Sequence, residues 1–287
     1  MSLKKHALVL FTKYPEPGRT KTRLIEMNGG TLSEVEAAEL YRAMVLDTAD
    51  VGLHAVDRCR HAKGEEFSFC VSSSPAEHMP RVREMFGSEF PSSPIVYILD
   101  RGSNFDEHFN SCFCQLFDQG YDSVVCIGGD LPGLSPGLIF RAFESLGELA
   151  AGAGRGAMAL APCQAGGVSL VGITQGAPVD FTGVFYNAQG VTALDALVSL
   201  AALNEIPLAL LETVYDVDYV QDLAHATSVI NAMSYAARFQ EDIVVPKRTL
   251  EFICKNGIVA NSAPTESRDP RDLLDSAEQA ISQPTME

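Results

Sequence analysis

Apolar runs of strand length recur along the chain, and between them the apolar positions change to helical spacing. The strand candidates are Ala7–Phe11, Phe67–Val71, Ile95–Leu99, Ser123–Ile127, Ala157–Ala161, Val168–Ile173 and Leu208–Leu211; the helix candidates cover 33–50, 77–87, 104–119, 135–149 and 190–204. Continuous rather than alternating apolar runs mark strands buried on both faces, as in sheets whose crossover helices cover both sides. The alternation of elements predicts an α/β fold, a three-layer sandwich with a central, mostly parallel sheet. Ser33 and Glu36 are spaced as a capping box for the first helix, where Val35, Ala38, Tyr41, Val45 and Thr48 keep one face apolar. The Gly/Ala-rich stretch Ala150–Gly156 follows a helix and precedes a strand, the reverse of a dinucleotide-binding turn, and is expected to be a loop. After Asp218 the pattern turns helical again, over 222–238 and over 249–255, the latter closed by Asn256-Gly257. The expected organisation is a main domain over residues 1–226, a helical extension over 227–260 and a polar tail over 261–287, poor in large apolar groups.

With 287 residues, 46% of them hydrophobic and 20% charged, the chain can build a substantial core. A net charge of −16 excludes a broad basic face, and with it a nucleic-acid binder or a protein held electrostatically on a membrane. No apolar stretch approaches the roughly 20 residues of a membrane span, and the apolar part of the N-terminus is too short for a signal peptide. A cytoplasmic protein acting on small molecules is expected. Seven scattered cysteines without a Cys-x-x-Cys pair indicate neither a disulfide framework nor a zinc site, and the six histidines show no paired metal spacing.

Charge is distributed unevenly. Residues 1–24 hold six of the 21 basic side chains and one of the 37 acidic ones. In the segment Phe11–Leu24 a buried strand opens into a loop stiffened by Pro15, Pro17 and Gly18 that carries Lys13, Arg19, Lys21 and Arg23. Positive charge and free backbone N–H groups at the end of such a strand suit a phosphate. A second segment, Ser123–Ser135, is a buried strand leading through Gly128-Gly129 to a single carboxylate, Asp130, which suits a Mg²⁺ ion bridging substrate phosphates. A third, Tyr215–Leu223, places Asp216 and Asp218 on one side of an extended chain, so either is available to the same ion; Asp222 reads as a first-turn helix residue favoured by the helix dipole. Two other readings fail on spacing. A phosphate-binding P-loop needs glycine where Thr20 stands, and in Gly167-Val-Ser169-Leu-Val-Gly172 the second glycine comes one residue too late for a hydrolase elbow.

In this order the three segments resemble the radical-SAM/selenodomain-associated transferase one family, within the nucleotide-diphospho-sugar transferase superfamily of glycosyltransferase A fold. Lys13-x-Pro15-x-Pro17-Gly18-x-x-Lys21-Thr22-Arg23-Leu24 is similar to that family's opening motif; Ile127-Gly-Gly-Asp130-x-Pro132-x-Leu134 and Asp216-Val-Asp218-x-x-x-Asp222-Leu223 are similar to its metal-bearing segments. The resemblance spans about residues 6–225. It implies that Lys21 and Arg23 hold nucleotide phosphates and that Asp130 and Asp218 hold Mg²⁺ or Mn²⁺. The chain departs from the family at Ala161–Val168, which keeps Gly166 and Gly167 on the substrate side but has Gln164-Ala165 where an acidic group is usual. The expected function is a metal-dependent transferase with a nucleotide or nucleotide-sugar donor and a small-molecule acceptor, most simply a glycosyltransferase, with Lys21 and Asp130 as its catalytic groups. A nucleotidyltransferase releasing pyrophosphate and a catalytically silent nucleotide-binding protein are the alternatives.

Overall fold

The computed structural model describes residues 3–261 and the strand Leu273–Asp275. In chain order the elements are β1 (Lys5–Phe11), α1 (Glu34–Lys63), β2 (Glu66–Ser73), α2 (Met79–Glu89), β3 (Ile95–Leu99), α3 (Phe105–Asp118), β4 (Ser123–Gly128), α4 (Pro136–Ala153), β5 (Met158–Pro162), β6 (Val168–Thr174), α5 (Ala193–Leu203), β7 (Leu208–Leu210), α6 (Val220–Ala236), α7 (Lys247–Lys255), β8 (Ile258–Ala260) and β9 (Leu273–Asp275). The remainder of the predicted 261–287 tail lies outside the described residues.

The chain divides into two compact units. The first comprises residues 1–14, 48–129 and 134–215, and it carries a seven-stranded sheet in the order β3-β2-β1-β4-β6-β5-β7. β1 pairs in parallel with β2 and β4, β2 with β3, and β5 with β7; only β6 runs antiparallel to its neighbours β4 and β5. The mostly parallel sheet expected from the continuous apolar runs is present, and its central strand shows why those runs are continuous. Ala7 and Val9 join a core with Phe109, Cys112, Phe113 and Leu197 from α3 and α5, while Leu8 and Leu10, fully buried as well, face the other side. On that side α1 comes so close that a Cβ at Gly52 would stand 2.5 Å from Phe69 Cε2, and α4 brings Leu146 over Gly172.

Two helix limits differ from the sequence reading. α1 runs to Lys63 rather than ending near 50: Gly52, which reads as a weak point in a helix, is instead the position at which the helix presses on the sheet. α4 extends through residues 150–153 of the expected loop and closes at Gly154, whose φ of 64° is the left-handed C-cap that glycine adopts without a steric penalty. The capping box forms as expected: Ser33 N–H and Oγ–H donate to Glu36 Oε2 at 2.8 and 2.6 Å, and Glu36 N–H donates to Ser33 Oγ at 3.3 Å. Cys59, Cys70, Cys112 and Cys126 are buried free thiols; burial pushes Cys70 and Cys112 up to about 12, so they are core groups and not nucleophiles. No helix among the described residues is long and apolar enough to cross a membrane.

The second unit comprises residues 15–47, 130–133 and 216–287. It contains the basic loop, the start of α1, the turn holding Asp130, and α6, α7 and β8 paired antiparallel with β9. Asp47 ties its α1 portion to α7: one oxygen accepts from the N–H and side chain of Arg248, the other from the N–H and hydroxyl of Thr249.

Candidate functional site: a lysine between two carboxylates

Lys21, Arg23, Asp130 and Asp218, one or two from each of the three segments, all belong to the second unit. The basic loop turns through Glu16, whose carbonyl accepts from Arg19 N–H, Thr20 N–H and Thr20 Oγ–H, burying Thr20. The loop then closes on itself: Leu24 is fully buried and its carbonyl accepts from the N–H groups of Thr31 and Leu32, an approach open only because Gly30 lacks a Cβ, which would lie 2.1 Å from the Leu24 carbonyl. Between these anchors Lys21 sits at φ 49°, ψ 41°. A side chain in this left-handed region costs roughly 1 kcal/mol or more, and such strain concentrates where a side chain must be aimed.

Lys21 is aimed at two carboxylates. Its Nζ donates to Asp130 Oδ2 at 2.5 Å and to Asp218 Oδ1 at 2.7 Å; Arg23 Nη1 donates to Asp218 Oδ2 at 2.7 Å. The Asp130 and Asp218 segments are joined at the backbone by Val217 N–H to Asp130 O, 3.2 Å. Lys21 has only 7% of its side chain exposed, against 22% for Asp130, 37% for Asp218 and 49% for Arg23. Burial alone would lower the ammonium pKa, but Asp130 and Asp218 outweigh it and hold the group above the ordinary lysine value, so Lys21 is a fixed cation at neutral pH. Asp216 has the opposite balance. Burial, then repulsion by Asp130 and Asp218, push its carboxyl up to about 6 against the pull of Lys21.

Aromatic rings flank the pair. Lys21 Nζ lies 5.7 Å from the centroid of Tyr41, and the Arg23 guanidinium stacks 4.9 Å from that of Tyr219. Asp222 works as a helix first-turn residue, its Oδ2 accepting from the N–H groups of Asp218 and Tyr219 at 3.1 and 2.8 Å. Lys21, Arg23, Asp130 and Asp218 thus come together in one ionic cluster. Arg19 turns to Glu16 instead, 3.5 Å away with 76% of its side chain exposed, and Gly18 supplies a left-handed turn at φ 74° beside Glu34. Lys13, Gly166 and Gly167 belong to the first unit. Both glycines answer to packing in the β5–β6 hairpin, where a Cβ would meet Thr192 at 2.6 Å and Cys163 Sγ at 2.4 Å. Sequence reasoning missed Tyr41 and Tyr219, although Tyr219 directly follows Asp218 in the third segment. It also missed, in the first unit, the buried Asp100, which accepts from Ser72 Oγ and lies 2.8 Å from His108 Nδ1.

The donor set suits a hard divalent cation: two carboxylates already converge on a single positive charge. Among the described residues no three His, Cys, Asp or Glu side chains are disposed to hold a metal by themselves.

The α/β fold with its mostly parallel seven-stranded sheet matches that of nucleotide-diphospho-sugar transferase-like proteins, as one solved structure that superposes on it shows. A protein of Desulfovibrio desulfuricans G20, provisionally assigned as a nucleotide-diphospho-sugar transferase, superposes with a TM-score of 0.67 at 23% identity over 88% of this chain and 96% of its own. A cytidylyltransferase of Leptospira borgpetersenii serovar Hardjo-bovis (strain JB197) aligns at 12% identity over 89% and 95% of the two chains with a TM-score of 0.48, too loosely to carry an argument. In sequence, the family described as "Uncharacterized protein conserved in bacteria (DUF2064)" matches residues 55–188. No curated protein matches the chain.

Proposed function

We propose that the chain is a transferase that uses a nucleotide-activated donor and moves its glycosyl group to a small-molecule acceptor. The observation that carries this reading is the convergence of Lys21, Arg23, Asp130 and Asp218, separated by up to 197 positions, on one partly exposed ionic cluster. The likeness of the opening segment to the radical-SAM/selenodomain-associated transferases supports it. In this reading Lys21 and Arg23 bind and orient the donor diphosphate. Asp130 and Asp218 would hold Mg²⁺ or Mn²⁺, which when bound supplies charge neutralisation to the departing phosphate. Lys21, held protonated by its carboxylates, acts as a hydrogen-bond donor and fixed charge and not as a base, so it stabilises negative charge developing on phosphate oxygens without moving a proton. The Tyr41 ring, its centroid 5.7 Å from Nζ, adds a cation–π attraction to the ammonium.

A thermal-shift panel of nucleoside diphosphates, triphosphates and nucleotide-sugars, with and without Mn²⁺, tests the reading. A ligand at 100 times its dissociation constant adds about 2.7 kcal/mol. Stabilisation by a nucleotide-sugar that depends on Mn²⁺ is expected. A triphosphate hit with pyrophosphate release would replace glycosyl by nucleotidyl transfer, and no stabilisation by any member would remove the reading altogether.

A further inference from the structure

Six of the eight tyrosines hold a lysine or arginine of the chain over the ring, from Arg81 at 3.9 Å on Tyr14 to Lys21 at 5.7 Å on Tyr41. Tyr186, 85% exposed and the most exposed of them, has none among the described residues. It lies in the first unit, in the loop between β6 and α5, at a φ of 52° that disfavours a bulky side chain. That loop is tied on both flanks of the ring. Gly183 N–H and Phe185 N–H donate to Asp106 Oδ2 and Oδ1 at 2.7 and 3.0 Å; Asn187 Nδ2 donates to Val191 O at 2.8 Å, and its Oδ1 accepts from Val191 N–H at 3.0 Å. A ring is thus held out into solvent by a fixed loop, at a cost in backbone strain that its own packing does not return. Phe105, the first residue of α3, completes a corner. Its centroid is 5.9 Å from that of Tyr186 with the ring planes at 77°, and Phe185 and Phe109 fix it at 4.8 and 5.8 Å while it stays 36% exposed.

Charge around the corner selects its occupant. No lysine or arginine occurs between Arg101 and Arg141 or between Arg155 and Arg238, so the segments that build the corner bring no permanent cation, while they carry Asp106, Glu107 and Asp180. Hydrogen bonds from Ser103 hold Glu107, and those from Thr182 hold Asp180, below the ordinary carboxyl range, so both are charged at neutral pH. His108 is turned to Asp100, 2.8 Å from its Nδ1. A cation from outside would meet here the aromatic and anionic surroundings that six other tyrosines share with cations of the chain itself. The three carboxylates already accept from donors of the chain, which favours a cation with few or no N–H groups to satisfy. Two exposed rings offer far less than the roughly 800 Å² per partner of a stable protein interface, which favours a small molecule. We infer that the Phe105–Tyr186 corner binds the alkylated ammonium group of a small molecule. This binding needs neither the nucleotide donor nor the metal, so it goes beyond the proposed function and fails or holds separately from it.

The test is a saturation-transfer NMR titration of the full chain with choline and tetramethylammonium, with 3,3-dimethylbutan-1-ol as the neutral isostere of choline and methylguanidinium as a planar cation. Both ammonium probes are expected to bind saturably at neutral pH and low salt, the isostere to bind about fivefold more weakly or worse, and the ammonium affinity to fall as salt is raised. Tyr186→Asn removes the ring and puts in a residue type that accepts a left-handed backbone; it should weaken choline binding about two- to fivefold, the worth of one exposed cation–π contact. Tyr186→Phe should retain the wild-type affinity. Because Tyr186 is exposed, both variants keep the core intact, which an unchanged melting temperature checks. An isostere that binds as tightly as choline would make the corner an apolar contact and overturn the inference. Equal choline affinity in wild type and Tyr186→Asn would do the same, as would tighter binding of methylguanidinium than of either ammonium probe, or no saturable binding of both ammonium probes. With no nucleotide or metal in these titrations, none of these outcomes bears on the proposed function.

Discussion

Replacing Lys21 by Met keeps the length of the side chain and the left-handed backbone while deleting the one charge that Asp130 and Asp218 share. Removing one partner of a buried ion pair leaves the other uncompensated, at about 3–5 kcal/mol. Here Lys21 is 7% exposed but Asp218 is 37% exposed and keeps Arg23, so screening and the second cation bring the loss to the lower end, about 3 kcal/mol. For a chain of this size that is a fall in melting temperature of roughly 6 °C in the presence of a chelator. The sign reverses when Mg²⁺ or Mn²⁺ is added. In the wild type a cation has to compete with Nζ for Asp130 Oδ2 and Asp218 Oδ1, whereas in Lys21→Met those oxygens face each other with nothing positive between them. The variant should therefore gain more from the cation, about 2.7 kcal/mol at 100 times the dissociation constant, and recover most of its lost melting temperature. Scanning calorimetry with EDTA and then with a Mn²⁺ series measures both steps. If the variant melts with the wild type in EDTA, the pair contributes nothing; if Mn²⁺ stabilises the wild type as much as the variant, ammonium and cation do not share a place.

Asp130→Asn should leave the fold nearly intact and remove most of the Mn²⁺-dependent part of nucleotide binding, which titration calorimetry resolves; equal Mn²⁺ stimulation in wild type and variant would reduce Asp130 to a partner of Lys21 alone. Asp216, with its carboxyl raised from 3.8 to about 6, binds a proton in the folded state over that interval that the unfolded chain has lost, so its charge opposes folding increasingly as pH rises through the interval and fully above it. Asp216→Asn should accordingly stabilise the chelated protein at pH 7.5, by up to about 3 kcal/mol, and by progressively less as pH falls toward 4; urea melts at several pH values that show a constant difference would contradict this. Gly52→Ala would gain about 1 kcal/mol of helix propensity in a solvated helix, but its Cβ at 2.5 Å from the fully buried Phe69 ring brings an overpacking penalty of about 1–3 kcal/mol. A net loss of stability in urea is expected, and a gain would mean that α1 can lift off the sheet at no cost.

The parts of this molecule legible from sequence are those whose signal is local. Leu8 and Leu10 on one face of β1 and Ala7 and Val9 on the other are written as an unbroken apolar run, and both sides of the sheet follow from it. The end of α1 was not legible, because a glycine inside a helix looks like a weakness until the ring it packs on is known, and Phe69 lies on a different element. The candidate site shows the same division. Lys21, Arg23, Asp130 and Asp218 stood out by residue type and by their places after strands, but their mutual pairing depends on long-range closure. Nothing local distinguishes Arg19, which turns to Glu16 three residues away, from Arg23, which reaches Asp218.

That pairing bears on how the site would work. A lysine held between two carboxylates is a site neutralised in advance, and the repulsion that would otherwise separate Asp130 from Asp218 is absent while Nζ remains. A donor diphosphate brings its own negative charge to Lys21 and Arg23, and each hydrogen bond it takes from them is one withdrawn from Asp130 or Asp218. Phosphate and divalent cation should then bind more strongly together than apart, because each supplies the partner that the other removes. By the same reasoning the favourable coupling should shrink in Lys21→Met, where no ammonium is left to be handed from carboxylate to phosphate. A coupling between Mn²⁺ and UDP of equal size in wild type and variant would show that the lysine is only a structural pair.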